Sequence, residues 1–191
     1  MYLRAFSFLL MLLASGAVLA DSLMAQLSSD SARFRYQVAG LGQSFGNLET
    51  EVGFLYTDKT AGSNDYIADV GVLVRGESVE APIVVSIGGR LYAGKVADYN
   101  VYAVGLGGDA MLLPESWGGF GIGAFFIMAP GVVSFGDSDG LREYGVTLNF
   151  DVSPQASVIL GYQNIEVNIE TNNVGDVEVD KGAFFGVHIK F

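Results

Sequence analysis

Residues 119–128 have the sequence GFGIGAFFIM, and they lie within the longest stretch after residue 20 that carries no charged residue, 116–136. Seven glycines and prolines in that stretch make a helix unfavourable. Read with a period of two, the apolar residues Phe120, Ile122, Ala124, Phe126 and Met128 share one face. Glycines 119, 121 and 123 begin the other face. The pattern therefore predicts a β-strand with one wide apolar face and one narrow face.

The same alternation recurs along most of the chain. Segments of about 9–13 residues are long enough to cross a bilayer at the tilt of a barrel strand. A soluble sandwich also alternates, but its strands are usually nearer 5–6 residues. Since every backbone group must pair in lipid, such a sheet has to close. We therefore predict an all-β, transmembrane, antiparallel up-and-down barrel, with apolar faces that include Val52, Phe54 and Tyr56; Val70, Val72 and Val74; Ile87 and Leu91; Val104 and Leu106; Val146, Leu148 and Phe150; Val158, Leu160 and Tyr162.

The composition supports this class and excludes several others. Half of the 191 residues are hydrophobic, only 16% are charged, and the mean hydropathy is +0.39. The absence of cysteine excludes disulfides, a lipoprotein anchor and thiol chemistry. With a single histidine there is little material for a zinc site. We expect no metal and no cofactor.

The first 20 residues have the features of a cleaved signal peptide. Arg4 supplies the positive charge, residues 6–13 form a short apolar core, and Val18, Leu19 and Ala20 fit a cleavage site. A permanent membrane helix is the alternative, but the apolar run is short for it. Removing residues 1–20 leaves 9 basic against 21 acidic residues in the domain 21–191, a net charge of −12. That charge argues against a nucleic-acid partner.

The C-terminal strand is the most specific local signal. Phe185, Val187, Ile189 and Phe191 alternate with smaller or polar residues, and the chain stops on the aromatic residue. A strand of this form looks like the signal read by the barrel assembly machinery of the Gram-negative outer membrane. We therefore expect Val187, Ile189 and Phe191 to contact that machinery during biogenesis, and the mature protein to reside among outer-membrane lipid and lipopolysaccharide.

The strand count follows from working backwards from a C terminus placed in the periplasm. Short inner turns are predicted at 76–81, 113–117 and 153–155, and outer loops at 57–63, 94–97, 129–139 and 171–179. These give eight strands from Asn47 onwards. A strand at 33–38 and a short one at 22–28 raise the count to ten, which we favour because bacterial barrels have even counts. The alternative is eight strands preceded by an interior or periplasmic segment.

The chain also resembles the YfaZ-like outer-membrane proteins. The resemblance rests on the signal peptide, the glycine-rich segment 41–46, the motifs at 139–144 and 160–163, and the Phe-terminated last strand. It spans nearly the whole mature chain, although each motif has low specificity. It implies an outer-membrane barrel without an assigned activity.

Three charged residues on the narrow faces are candidates for a luminal ion cluster. If the loop at 57–63 is centred near Thr60, Glu51 lies opposite Asp69, and a turn near residues 79–80 puts Arg90 opposite Asp69 as well. We hypothesise that Arg90 neutralises two carboxylates that could not otherwise stay charged side by side. The alternative is that the register shifts by two residues and the groups merely line water.

Other candidate residues favour structural interpretations. His188 should point into the lumen, but catalysis needs a nucleophile and an orienting group beside it, which the sequence does not place there. The outer loops are acidic, yet none has the spacing of a calcium loop. Beyond Gln163 the apolar residues move to positions 165, 167 and 169, which suggests a bulge. Aromatic residues near both strand ends predict interfacial girdles.

The function that these features favour is a non-enzymatic barrel, either structural or a narrow, porin-like passage for small solutes. Eight strands are just wide enough for side chains to fill, whereas ten strands with many luminal glycines could leave a thin water path. One alternative is an outer-membrane hydrolase or acyltransferase acting on lipid or peptide, which requires a serine or aspartate within reach of His188. Another is an adhesion barrel, which would need longer and less acidic loops.

Overall fold

The computed structural model describes residues 21–39, 47–59, 63–78, 81–171 and 174–191. The predicted signal peptide, residues 1–20, and the glycine-rich segment 41–46 lie outside the described residues. Across these five ranges no helix has the length and apolar character needed to cross a membrane. Two three-residue 3₁₀ turns lie in these ranges, at Glu115–Trp117 and Gly131–Val133.

The described residues form an antiparallel β-barrel. Ten long strands make the wall, and one short strand, β8, pairs with β6 beside the loop that joins β7 to β9. The strands are β1 (Asp21–Leu27), β2 (Ser31–Ala39), β3 (Asn47–Thr57), β4 (Asp65–Glu77), β5 (Ile83–Val96), β6 (Tyr99–Leu112), β7 (Phe120–Pro130), β8 (Ser134–Gly136), β9 (Ser138–Ser153), β10 (Ala156–Ile169) and β11 (Gly175–Lys190).

The topology is up-and-down, and the first strand closes the barrel against the last. Each wall strand pairs with its neighbours in the chain, and β1 pairs antiparallel with β11 from Ser22↔Lys190 to Leu27↔Phe185. The predicted ten-stranded barrel is therefore confirmed for the described residues. The segments at 22–28 and 33–38, whose place was open, are wall strands. The alternative of eight strands is wrong.

The two ends of the barrel differ. The end that carries Asp21 and Phe191, the termini end, has the turns at 113–119 and 154–155, and β4 also connects to β5 at this end. The opposite end, the loop end, has the connections at 28–30, 58–64, 97–98, 131–137 and 170–174. The connection between β5 and β6 is shorter than the predicted loop at 94–97, because only Ala97 and Asp98 lie between the two strands. Their φ values are 49° and 72°. Positive φ at both central residues is the requirement of a type I′ hairpin turn.

The β1–β11 seam is short, and side chains complete it at the loop end. β1 ends at Leu27, which lies opposite Phe185, whereas β11 extends beyond this pair toward the loop end as far as Gly175. There the Lys59 ammonium donates to the carbonyl oxygens of Glu178 and Val179, at 2.8 and 3.2 Å. The Ser28 hydroxyl donates to Asp180 at 3.3 Å. These contacts satisfy polar groups that β1 is too short to reach.

The apolar faces predicted from the alternation point outward. Every wall strand contributes at least one large apolar side chain that is about half exposed: Leu27, Phe34, Val52, Val70, Leu91, Leu106, Phe126, Val146, Leu160 and Phe185. Exposed aromatic residues lie near both ends of the strands, as the girdle prediction requires. Toward the termini end they are Trp117, Phe120, Phe150 and Phe191, and toward the loop end Tyr56, Tyr66, Tyr102, Tyr144 and Tyr162.

The interior has two unlike halves. The half toward the loop end is a packed apolar core, in which Leu55, Val101, Leu141, Val167 and Val179 have at most 1% of their surface exposed. The half toward the termini end is polar and charged. This division explains the change of apolar phase in β10, which sequence reasoning assigned to a bulge. A bulge does occur between Ile165 and Glu166, but odd-numbered residues face inward on both sides of it, from Gln163 to Ile169.

Glycines let neighbouring strands approach closely where β4, β5 and β6 meet. Gly88 lies between Leu73 of β4 and Gly107 of β6. A Cβ atom on Gly88 would lie 2.0 Å from the carbonyl oxygen of Val72, and one on Gly107 would lie 2.0 Å from that of Phe126. Neither contact is possible without moving backbone. Gly76, on the neighbouring strand, has no atom nearer than 3.9 Å to its Cβ position.

We predict that Gly88→Ala lowers the free energy of unfolding by about 1–3 kcal/mol or more, because overpacking forces the backbone to shift. The matched control Gly76→Ala should be neutral or slightly stabilising. Equilibrium unfolding of both variants in denaturant measures the difference. Equal stability of the two variants would show that the packing of β5 against β4 does not require glycine at position 88.

Candidate functional site

Glu51, Asp69 and Arg90, which were predicted to form a luminal cluster, lie close together inside the barrel. Arg90 of β5 donates from Nε to Glu51 Oε1 at 2.7 Å, and its Nη2 also contacts that oxygen. The same Nε lies 3.4 Å from Asp69 Oδ1. All three residues are at least 95% buried. Arg90 thus contacts two carboxylates inside the barrel.

The strand register differs by two residues from the predicted one. Asp69 lies opposite Gly53 on β3 and Tyr92 on β5, while Glu51 and Arg90 both lie opposite Gly71. The predicted direct opposition of Glu51 to Asp69, and of Arg90 to Asp69, is wrong. The ion pairs form along diagonals, through space that the glycines leave open. A Cβ on Gly53 would lie 2.3 Å from Asp69 Oδ2, and one on Gly71 would lie 2.6 Å from Glu51 Oε1.

Sequence reasoning missed four further members of the cluster. Glu143 of β9 accepts hydrogen bonds from Arg33 of β2 at 2.6 Å, from Arg90 at 3.0 Å and from the Tyr92 hydroxyl at 2.6 Å. Arg35, also on β2, lies 3.5 Å from Glu51 and 3.7 Å from Glu143. We call the seven residues Arg33, Arg35, Glu51, Asp69, Arg90, Tyr92 and Glu143 the charge network.

The charge network joins opposite walls of the barrel and is balanced in charge. Three guanidinium groups face three carboxylates, so the charge network as a whole carries no net charge. Arg33 also lies 3.6 Å from Asp69, which links β2 to β4. Burying an ion costs several kcal/mol, and only close partners and hydrogen bonds offset that cost. The sequence did contain a signal for three of the missed residues, because positions 33, 35 and 143 all fall on the narrow face of strands whose other face is apolar.

A cavity of about 220 Å³ lies between the charge network and the termini end. Its upper wall includes Arg33, Arg35, Glu51 and Arg90, and it extends to Leu113 and to Lys190, which is exposed. The ion pair of Arg75 with Glu49, at 3.0 Å, lines it at intermediate depth. Among the described residues, the charge network and the apolar core bound the cavity on one side, and the cavity extends toward the termini end on the other.

His188 lines this cavity, with Ser157 directly across the strand pair. The Ser157 hydroxyl donates to Asp151 Oδ1 at 2.5 Å, and His188 Nε2 has no hydrogen-bond partner in the protein. A serine nucleophile needs its hydroxyl hydrogen directed to a base, and the base needs an orienting group on its other nitrogen. In this geometry the serine hydrogen is directed to a carboxylate instead, so the three side chains do not form a catalytic triad.

The remaining predicted residues occupy the outer surface or the loops. Ile189 and Phe191 are exposed on the outward face at the termini end, and Val187 is partly exposed on that face. Within the described ranges, no three histidine, aspartate or glutamate side chains are grouped closely enough to hold a metal ion. In the acidic connections at the loop end, Asp137 instead accepts hydrogen bonds from the Asn100 backbone and from Thr171, at 2.9 and 3.0 Å.

Comparison of the chain with models of known protein families and with curated proteins finds no match in either. The resemblance to YfaZ-like proteins therefore rests on the sequence motifs alone.

We predict that Glu143→Gln lowers the free energy of unfolding by about 3–5 kcal/mol, because it leaves buried guanidinium charge without its partner. Glu178→Gln, which alters an exposed pair with Lys181, is the control and should cost little or nothing. Equilibrium unfolding of both variants in the same detergent measures the difference. A loss for Glu143→Gln no larger than for Glu178→Gln would mean that the charge network does not stabilise the barrel.

Proposed function

We propose that this chain is an integral protein of the Gram-negative outer membrane, with a non-enzymatic and structural role. The observation that carries the proposal is the closed barrel whose entire circumference exposes large apolar side chains. Soluble monomers rarely expose contiguous apolar patches larger than a few hundred Å². A belt of this kind around a closed sheet, flanked by aromatic residues at both ends, matches what lipid requires.

The lumen supports a structural role over a passage for solutes. A solute entering at the termini end would meet the charge network first and then the apolar core, whose members are almost fully buried. Crossing would require breaking several buried ion pairs and separating packed side chains. Ten strands enclose more space than eight, but here side chains from the wall fill the half toward the loop end.

The alternative of a hydrolase or acyltransferase has less support. Its requirement was a serine or aspartate within reach of His188, and Ser157 is indeed its cross-strand neighbour. The hydrogen bond from Ser157 to Asp151 uses the proton that catalysis would need to transfer to the histidine. We therefore favour the non-enzymatic role, with membrane lipid and lipopolysaccharide as surroundings and the assembly machinery as the partner that receives the C-terminal strand.

We predict that Val70→Arg destabilises the barrel in lipid vesicles by about 2–4 kcal/mol, because a charged side chain then faces hydrocarbon near the middle of the barrel's height. Val70 is half exposed and follows Asp69 of the charge network in sequence. The matched control is Val132→Arg, in the loop-end connection, where the side chain is 88% exposed and the cost should be at most about 1 kcal/mol. Urea unfolding from vesicles gives both values.

Equal costs for the two arginine variants would argue against lipid around the barrel. So would recovery of the full-length wild-type protein, expressed in a Gram-negative host, in the soluble fraction rather than with the outer membrane.

We predict that the purified protein in a planar lipid bilayer gives no steady ion current, because the charge network and the apolar core close the lumen. The double variant Ile165→Ser, Val167→Ser makes two buried core positions smaller and polar, and it should give measurable current if the core is the barrier. Circular dichroism checks that the variant keeps its strands. A steady current from the wild-type protein would support a passage instead.

A further inference from the structure

The wall strand β7 is interrupted near the loop end and resumes as β8. The ladder between β6 and β7 ends at Leu106↔Met128, and the ladder between β6 and β8 begins at Ala103↔Ser134. Two residues of β6 therefore lie opposite five residues of the segment between β7 and β8. That segment contains Pro130, which has no N–H group with which to continue the ladder. Since β7 and β8 both run antiparallel to β6, β8 continues the line of β7 after a bulge.

Few backbone pairs hold β8 to the barrel. It makes three residue pairs with β6, and among the described residues it has no ladder with β9. By contrast, β10 and β11 pair along almost their whole lengths. Segments with few backbone pairs open locally at free energies below that of global unfolding. We therefore expect β8 to open more readily than the long strands of the wall.

Asp137, which follows β8, ties the end of that strand to two other connections. One of its carboxylate oxygens accepts a hydrogen bond from the Asn100 backbone N–H at 2.9 Å, and the other accepts one from the Thr171 hydroxyl at 3.0 Å. Its backbone N–H donates to the Asn100 carbonyl oxygen at 2.9 Å, and its carbonyl oxygen accepts from the Glu170 N–H at 3.1 Å. Gly136 permits this close approach, because a Cβ atom there would lie 2.6 Å from the Asn100 carbonyl oxygen. Four hydrogen bonds at one residue thus hold the end of β8.

β8 lies beside residues of the apolar core. Val101 and Ala103, its partners on β6, belong to that core and have 0% and 3% of their surface exposed. The bulge before β8 points away from the core, since Val132 is 88% exposed. We propose that residues 131–136 form a flap, which Asp137 latches against β6. Release of the latch opens the wall beside the apolar core, near the loop end, while the other strands stay paired.

Amide hydrogen exchange of the detergent-solubilised full-length barrel, followed by mass spectrometry, measures the opening of the flap. The reference is the end of β3 at residues 55–57, which lies at the same end of the barrel and pairs with β2 and β4. In the wild-type protein, the amides of residues 134–136 should exchange at least tenfold faster than those of the reference. Exchange at 134–136 as slow as at 55–57 would overturn the proposal.

The variant that tests the latch is Asp137→Ala, which removes both carboxylate hydrogen bonds. It should speed exchange at residues 134–136 at least tenfold over the wild-type rate and leave residues 55–57 unchanged. The matched control is Asp139→Ala, because Asp139 is an exposed carboxylate two residues away that accepts no hydrogen bond from the described residues. Equal acceleration in both variants, no acceleration in Asp137→Ala, or faster exchange at 55–57 as well would overturn the proposal.

A disulfide provides a second test, which does not depend on Asp137. The chain has no cysteine, so Ala103→Cys combined with Ser134→Cys introduces a single possible disulfide. The two residues are directly opposed, and such Cα atoms lie about 4.5–5.5 Å apart, within disulfide range. The oxidised protein should exchange at residues 134–136 at least tenfold more slowly than the same protein after reduction. Equal exchange in the two forms, or failure of the disulfide to form, would overturn the proposal.

Discussion

The hydrogen bonds between β1 and β11 turn an open sheet into a closed one, and the rest of the structure depends on that closure. An open sheet has two edges of unpaired N–H and C=O groups, which lipid cannot satisfy. Only six residue pairs form the seam, from Ser22↔Lys190 to Leu27↔Phe185. Where β1 stops, Lys59 and Ser28 supply side-chain donors to β11. Closure therefore combines a short ladder of backbone hydrogen bonds with polar caps at the loop end.

Closure also creates an interior that side chains have to fill. Near the loop end the wall supplies mostly branched apolar residues, which pack into a core. Nearer the middle the same inward positions carry arginines and carboxylates, whose mutual contacts offset the cost of burial. The cavity lies toward the termini end, where neither the apolar core nor the charge network continues. The apolar half and the polar half of the lumen thus follow from which inward residues each strand supplies.

Much of the fold could be predicted from the sequence, because the alternation of apolar and small residues in each strand indicates directly which face points outward from the barrel. Val52, Val70 and Leu160 point outward as that pattern requires. The interior was harder to predict. Inward apolar residues such as Ile165 and Val167 break the pattern, and they were interpreted as a bulge because sequence alone does not show that half of the lumen is a packed apolar core. Glu143 was missed because its partners lie on β2 and β5, far away in the chain.

The register of β3 on β4 shows how charge and glycine act together. In the predicted register Glu51 would lie directly opposite Asp69, and like charges in direct opposition are destabilising. In the observed register Glu51 lies opposite Gly71 and Asp69 opposite Gly53. Each carboxylate therefore faces a residue without a side chain, which leaves room for Arg90 to reach both. A slip by two residues would keep every apolar side chain facing outward, so the apolar pattern cannot distinguish the two registers. The placement of each acidic residue opposite a glycine does distinguish the two registers, and it favours the one that the barrel adopts.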